Sequence, residues 1–308
     1  MRKILLTGKN GQIGWELQRT LSSLGDIVVV GHHEMDLANP DSIRKVIRQV
    51  QPELIVNAAA YTAVDKAESE PDLAMAINGV APGIMAEEAK RLNAAIIHYS
   101  TDYVFDGNSE RPYTEDDTPN PLNVYGTTKL AGERAIQASG VPHLILRTSW
   151  VYGARGRNFL LTMLRLAKEK NELKIVNDQI GAPTWCRLLA EVTSQMIAQH
   201  YSPVSRQAIS ISEASGLYHV VPTGSVSWHG FAAKILEGVS SHVSHALPKL
   251  ISIPASDYPA PARRPQNSRM TSGKLSNIYG LAMPHWEKSL TLCLDEVLQN
   301  SSDKKVPN

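Results

Sequence analysis

Cysteine is almost missing from this chain: Cys186 and Cys293 are the only two among 308 residues. Two cysteines make neither a disulfide framework nor a thiolate metal cluster, and the expectation is a protein of the reducing cytoplasm. Long apolar runs are missing too. None approaches the roughly 20 residues that cross a bilayer, so no helical membrane span is expected. Apolar residues begin at Ile4, which leaves no room for a secretory signal. Charge of either sign is not in excess. With 31 Lys and Arg against 30 Asp and Glu, the formal net charge is +1, and nothing draws the chain to nucleic acid or an anionic membrane. What remains, 43% apolar and 20% charged, is the composition of a globule with one large domain or two unequal ones.

What is present is alternation. Lys3–Thr7 is a short apolar run that ends at Gly8-Lys-Asn-Gly11-Gln-Ile-Gly14, after which Trp15, Leu17, Leu21 and Leu24 follow at helical spacing until Gly25. Strand, glycine loop and helix together form the context of a dinucleotide-binding fingerprint. Gly8 permits the tight turn, Gly11 lets a pyrophosphate approach backbone N–H groups, and Gly14 lets the helix pack closely. Ile27–Val30 reads as the second strand. An acid directly after it would hold a ribose 2′-hydroxyl; here Gly31, His32 and His33 follow, with Lys9 in the glycine loop. NADPH is therefore the expected cofactor, with NADH tolerated. Asn39 and Pro40 start a helix as cap and first residue.

Leu54–Ala60 reads as a third strand running out in small residues, with Tyr61–Lys66 as a loop over the site. Pro71–Leu92 reads as a helical stretch bent or broken at Gly79, Pro82 and Gly83, with Met75, Ile77 and Ile84 toward the core. Ala95–Phe105 is a strand with Ser100, Thr101 and Asp102 at its carboxyl end, where ligands bind in an open α/β sheet. Tyr125 and Lys129 are four apart on the next helix, so phenol and ammonium share a face. A close ammonium favours the phenolate, and the pair is a candidate proton donor to a carbonyl. A hydroxyl from Thr101, or second from Ser100, could polarise the same carbonyl. Leu144–Gly153 is a fifth strand ending at Trp150. The fold class is α/β: a Rossmann-type doubly wound parallel sheet over residues 1–155, with later segments free to return to it.

Residues 156–300 are expected to form mainly a smaller α/β substrate domain, with 301–308 as a frayed tail. Within it, 158–168 and 188–199 read as helices, 174–177 as a strand and 178–184 as a loop. Residues 202–215 read as a surface excursion, 218–221 as a short strand and 228 onward as a helix. Tyr258–Pro265 is a proline-stiffened loop carrying Arg263 and Arg264, whose guanidinium forks suit a diphosphate.

These stretches together resemble the dTDP-4-dehydrorhamnose reductase family, an extended branch of the short-chain dehydrogenases/reductases. The likeness runs through Thr7–Gly14, Val56–Ala60, Ala63–Glu68, Ser100–Phe105, Pro121–Gly126, Arg147–Tyr152, Asn177–Thr184 and Tyr258–Pro265. It implies reduction of the C4 ketone of dTDP-4-dehydro-β-L-rhamnose in dTDP-rhamnose biosynthesis. It also implies roles: Tyr125 gives the proton, Lys129 holds the nicotinamide ribose, and Thr101 orients the ketone with Asp102 beside it. Gly11, Gln12 and Ile13 would cover the pyrophosphate, Asp36 and Leu37 the adenine, and Ala60, Tyr61 and Thr62 the nicotinamide. Trp150 and Arg263 would contact the nucleotide-sugar. Some relatives hold magnesium through carboxylates at a homodimer contact. Glu16 matches one such position, but Arg187 stands where an acid is expected, so no magnesium site is expected here. Another nucleotide-sugar reductase or epimerase, and a non-catalytic NADP-binding subunit like that of methionine adenosyltransferase, stay open as alternatives.

Overall fold

The structure is a computed structural model that describes residues 2–201, 210–242 and 246–303. The chain enters through β1 (Lys3–Thr7), where Ile4, Leu5 and Leu6 are all fully buried. A strand apolar at successive positions has both faces covered, as a parallel sheet between helices requires. Then follow α1 (Gln12–Thr20), β2 (Asp26–Val30), α2 (Pro40–Val50) and β3 (Leu54–Asn57). Asn39 caps α2 by accepting from the Asp41 and Ser42 N–H groups at 3.0 and 3.2 Å, with Pro40 first in the helix. The third strand stops at Asn57, short of the expected Ala60.

The expected break in the next helical stretch is present. Short helices α3 (Val64–Ala67) and α4 (Pro71–Met75) lead into a π-helical turn, Ala76–Val80, before α5 (Ala81–Arg91). The extra residue in such a turn re-aims a side chain. Asn78 lies within this turn, and its amide accepts from the Tyr61 N–H at 2.8 Å and donates to the Tyr61 carbonyl at 3.0 Å. Of the three residues expected in the core here, Ile84 is buried and Met75 and Ile77 are half-buried. Next come β4 (Ala95–Thr101), α6 (Val124–Ser139) and β5 (His143–Thr148).

The second half continues as β6 (Val151–Tyr152), α7 (Phe159–Glu169), β7 (Glu172–Val176), β8 (Ile180–Gly181), β9 (Thr184–Trp185) and α8 (Cys186–Tyr201). It closes with β10 (Gly216–His219), β11 (Val226–Ser227), α9 (Trp228–Val239), β12 (Lys249–Ile253), α10 (Gly273–Tyr279) and α11 (Trp286–Asp303). The large sheet has the order β10-β5-β4-β3-β1-β2, and every pair in it is parallel. The chain reverses its direction of travel between β1 and β3, the crevice where open α/β sheets bind ligands. One face is covered by α1, α8 and α10 through Leu17, Leu21, Leu189, Met196 and Leu275; the other by α2, α5 and α6 through Ile43, Met85 and Ile136. A separate core joins α7, α9 and α11 around Tyr152, Phe231, Trp286 and Cys293.

The second half differs from expectation in three places. The 178–184 loop contains β8 and the start of β9, because Ile180 and Gly181 pair with β11 and Thr184 with β6. In the 202–215 stretch, residues 202–209 lie outside those described, but Ile211 and Ala214 pack into the core beneath the large sheet. α11 runs on to Asp303, and residues 304–308 of the expected tail are outside those described. Among the described residues no helix is long and apolar enough to cross a membrane.

Candidate active site

A cleft of about 760 Å³ lies at the carboxyl ends of β1, β3, β4 and β5. Its floor is the glycine loop. Gly8 turns with φ +81°, the left-handed region that a side chain resists, and a Cβ there would meet the Ala58 carbonyl carbon at 2.9 Å. A Cβ on Gly14 would collide with the Gly8 carbonyl oxygen, so α1 packs against the turn itself. Gly11 caps α1 without any side-chain bond, and backbone N–H groups at such a terminus suit an anion. Gln12 and Ile13 line the cleft; the Gln12 carboxamide oxygen accepts from Asn158 at 2.9 Å.

Two elements bring the polar groups together. Asn123 caps α6 by accepting from the Gly126 N–H at 2.8 Å, which begins the helix at Val124 and turns Tyr125 and Lys129 to the cleft. Thr101 ends β4, accepts from the Tyr103 N–H at 3.2 Å, and donates to Asp102 Oδ1 at 3.1 Å. The Tyr125 phenol and Thr101 both line the cleft. Ser100 instead donates to Glu133, which pairs bidentately with Arg147 at 2.9 and 2.6 Å. That leaves Thr101 as the β4 hydroxyl next to Tyr125.

The electrostatics depart from the expected pairing of phenol and ammonium. Burial pushes the Tyr125 phenol up to about 12, with Thr101 opposing, so it keeps its proton rather than losing it to a nearby charge. Lys129 is turned inward: its ammonium donates to the Tyr99 carbonyl at 2.6 Å and lies 3.1 Å from His98 Nε2. His98 Nδ1 is 3.0 Å from the Asn57 amide, and Thr7 donates to Asn57 Oδ1 at 2.7 Å. A buried chain of polar groups thus ties Lys129 to the base of the glycine loop. Burial lowers Lys129 to about 8, with Glu133 opposing, and raises Asp102 to about 6, with Ser268 and Thr101 opposing.

Trp150 separates β5 from β6 with φ +47°. A bulky side chain in that region stores roughly 1–3 kcal/mol and persists only where its surroundings over-determine it. They do: the ring stacks on Trp228 at 3.6 Å and 8°, and covers Gly181. Trp228 also borders a second cleft of about 750 Å³, lined by Phe159, Met163, Lys174, Tyr258 and Arg263. Arg264 is committed to Asp65 at 2.8 Å, whereas Arg263 has no ion pair among the described residues.

Not every expected residue converges here. Leu37, Ala60 and Thr62 line the first cleft, but Asp36 accepts from the Ala38 N–H and Tyr61 donates its hydroxyl to Glu70 at 2.6 Å. Trp228, Arg157 and the pair Lys9–Glu34 were not anticipated. Trp228 had no signal in the sequence, being distant from Trp150. Glu34 had one: it is the first acid after β2, though displaced by three residues from the usual place.

The chain is similar to known proteins over nearly its whole length. The family described as RmlD substrate binding domain matches residues 1–299. A dTDP-4-dehydrorhamnose reductase of Escherichia coli K12 is 46% identical over 304 residues, 97% of this chain and 99% of that protein. The chain belongs to the dTDP-4-dehydrorhamnose reductase family. The family is one of oxidoreductases. A solved dTDP-4-dehydrorhamnose reductase from Bacillus anthracis in complex with NADP is 35% identical, with TM-score 0.86 over 96% of this chain and 100% of that one. A UDP-glucose 4-epimerase from Thermus thermophilus, 16% identical with TM-score 0.79 over 97% of this chain and 99% of that one, shares the fold.

At Glu16, where the resemblance implies a magnesium ligand, an arginine is the partner. Arg187 donates from Nε to Glu16 at 3.2 Å and from Nη2 to Glu296 at 2.8 Å. A guanidinium between these two carboxylates does not fit a divalent cation at the same place.

Proposed function

We propose that this chain reduces the C4 ketone of dTDP-4-dehydro-β-L-rhamnose to dTDP-β-L-rhamnose, using NADPH and accepting NADH. One observation carries the reading: Tyr125 and Thr101 line the same cleft as the glycine loop. Gly8, Gly11, Gln12, Ile13 and Gly14 form the phosphate end, Leu37 borders the adenine, and Ala60 and Thr62 border the nicotinamide. When bound, the reduced nicotinamide supplies the hydride. Tyr125, neutral across the working range, gives its proton to the carbonyl oxygen as the carbon becomes an alcohol carbon. Thr101 donates to that oxygen and Asp102 holds a neighbouring sugar hydroxyl. Trp150 on Trp228 forms the platform for the sugar, and Arg263 meets the diphosphate in the second cleft. Residues 1–155 with β10 would then be the cofactor half, and 156–300 mainly the substrate half.

The test is loss of reduced-nicotinamide absorbance on adding the dTDP-4-keto-6-deoxy-L-sugar to the protein; a wild-type chain that binds NADPH but oxidises none of it ends the reading. Lys129 adds a pH signature. It is cationic below about 8 and neutral above. Holding the ribose, the role the resemblance gives Lys129, needs the cation and draws it from the Tyr99 carbonyl. kcat/KM should therefore fall as pH rises through about 8, and a profile flat to pH 9.5 would remove Lys129 from that role.

A further inference from the structure

Glu34 holds its carboxylate at the end of β2, beside an edge of the cleft that the sequence had seemed to leave free of acid. Its Oε2 accepts from the Gly31 N–H at 2.9 Å, and its Oε1 accepts from the Lys9 ammonium at 3.2 Å. A Cβ on Gly31 would come within 3.1 Å of that Oε2, so the carboxylate sits directly over the end of β2. Lys9, Gly31 and His32 all line the cleft at this edge. The two donors that a 2′-phosphate would use are thus both occupied by an internal anion.

We propose that Glu34 sets the choice between NADH and NADPH: it accepts the ribose 2′-hydroxyl of NADH as it stands, and must leave Gly31 and Lys9 for the 2′-phosphate of NADPH to bind. The proposal rests on the reading of the cleft as a nicotinamide-cofactor site. An acid near the end of the second strand is the general device for a 2′-hydroxyl, and like charge disfavours a phosphate there. Glu34 reaches that position from three residues further on because Gly31 has no side chain of its own. Both hydrogen bonds hold its carboxyl below the usual range, so it stays charged at neutral pH. Both partners are exposed and the Lys9 bond is open to screening, which leaves the carboxylate free to move aside. A movable acid admits both cofactors, where a buried one would exclude NADPH.

The experiment is binding of NADPH and NADH separately, read from reduced-nicotinamide fluorescence without any sugar. Glu34→Gln should raise the ratio of NADPH to NADH affinity roughly tenfold, since the amide neither repels the phosphate nor holds Lys9. Lys9→Met should move the same ratio the other way. A Glu34→Gln protein whose two dissociation constants are unchanged, or change by one common factor, overturns the proposal. If wild type binds neither cofactor, the proposal and the reductase reading both fall. If it binds both and oxidises neither on sugar addition, the reductase reading alone fails.

Discussion

Tyr125→Phe is expected to lower kcat for sugar-dependent cofactor oxidation by roughly three orders of magnitude, the middle of what a positioned general acid contributes. The change removes the O–H and little else. The Tyr125 ring meets Tyr103 edge-on at 5.6 Å, and Phe keeps that contact. Thr101 retains the Tyr103 N–H and Asp102 as partners, so no buried polar atom is orphaned. Thermal stability and NADPH affinity should therefore stay near wild type while kcat falls. Steady-state kinetics with fluorescence titration of NADPH separates these quantities. A loss smaller than threefold would mean that the proton comes from elsewhere. Asp102 would then be the next candidate, since its carboxyl adjoins Thr101 and is raised to about 6.

The second large effect falls on stability. Glu133→Ala leaves Arg147 buried, its side chain only 3% exposed, without its one counter-ion among the described residues. A guanidinium cannot shed its proton to escape, and breaking a buried pair from one side costs about 3–5 kcal/mol. Ser100 loses its acceptor as well. For a chain of this size that corresponds to a fall in Tm of about 5–8 °C, measured by circular dichroism. The double change Glu133→Leu with Arg147→Met should recover most of the loss, because the penalty is an unpaired charge rather than a missing attraction. A single-variant cost under about 1 kcal/mol would mean that water reaches Arg147.

These two residues illustrate how far the sequence could be read. Tyr125 and Lys129 were visible because helical spacing is local, and Thr101 because a polar residue at the end of an apolar strand lies where ligands bind. The same locality misled about their electrostatics. Sharing a helix face brought Lys129 near Tyr125 in one dimension. His98 and the Tyr99 carbonyl, on the neighbouring strand β4, took its ammonium instead. Glu133 and Arg147 gave no sequence signal at all, since their pairing depends on how α6 crosses β5.

The sequence by itself determined the elements whose causes are short-ranged. These are β1 with its glycine loop, the Asn39 cap, the break near Gly79 and the alternation of strands with helices. In each the deciding interactions lie within a few residues. Only the tertiary structure decided which strand lies beside which, and with it the return of β10 to the large sheet, Trp150 stacked on Trp228, and Arg187 between Glu16 and Glu296. It also decided where the Glu34 carboxylate lies. The physical reason is that burial, stacking and ion pairing depend on distance in space, and that distance is set only when the chain has closed on itself.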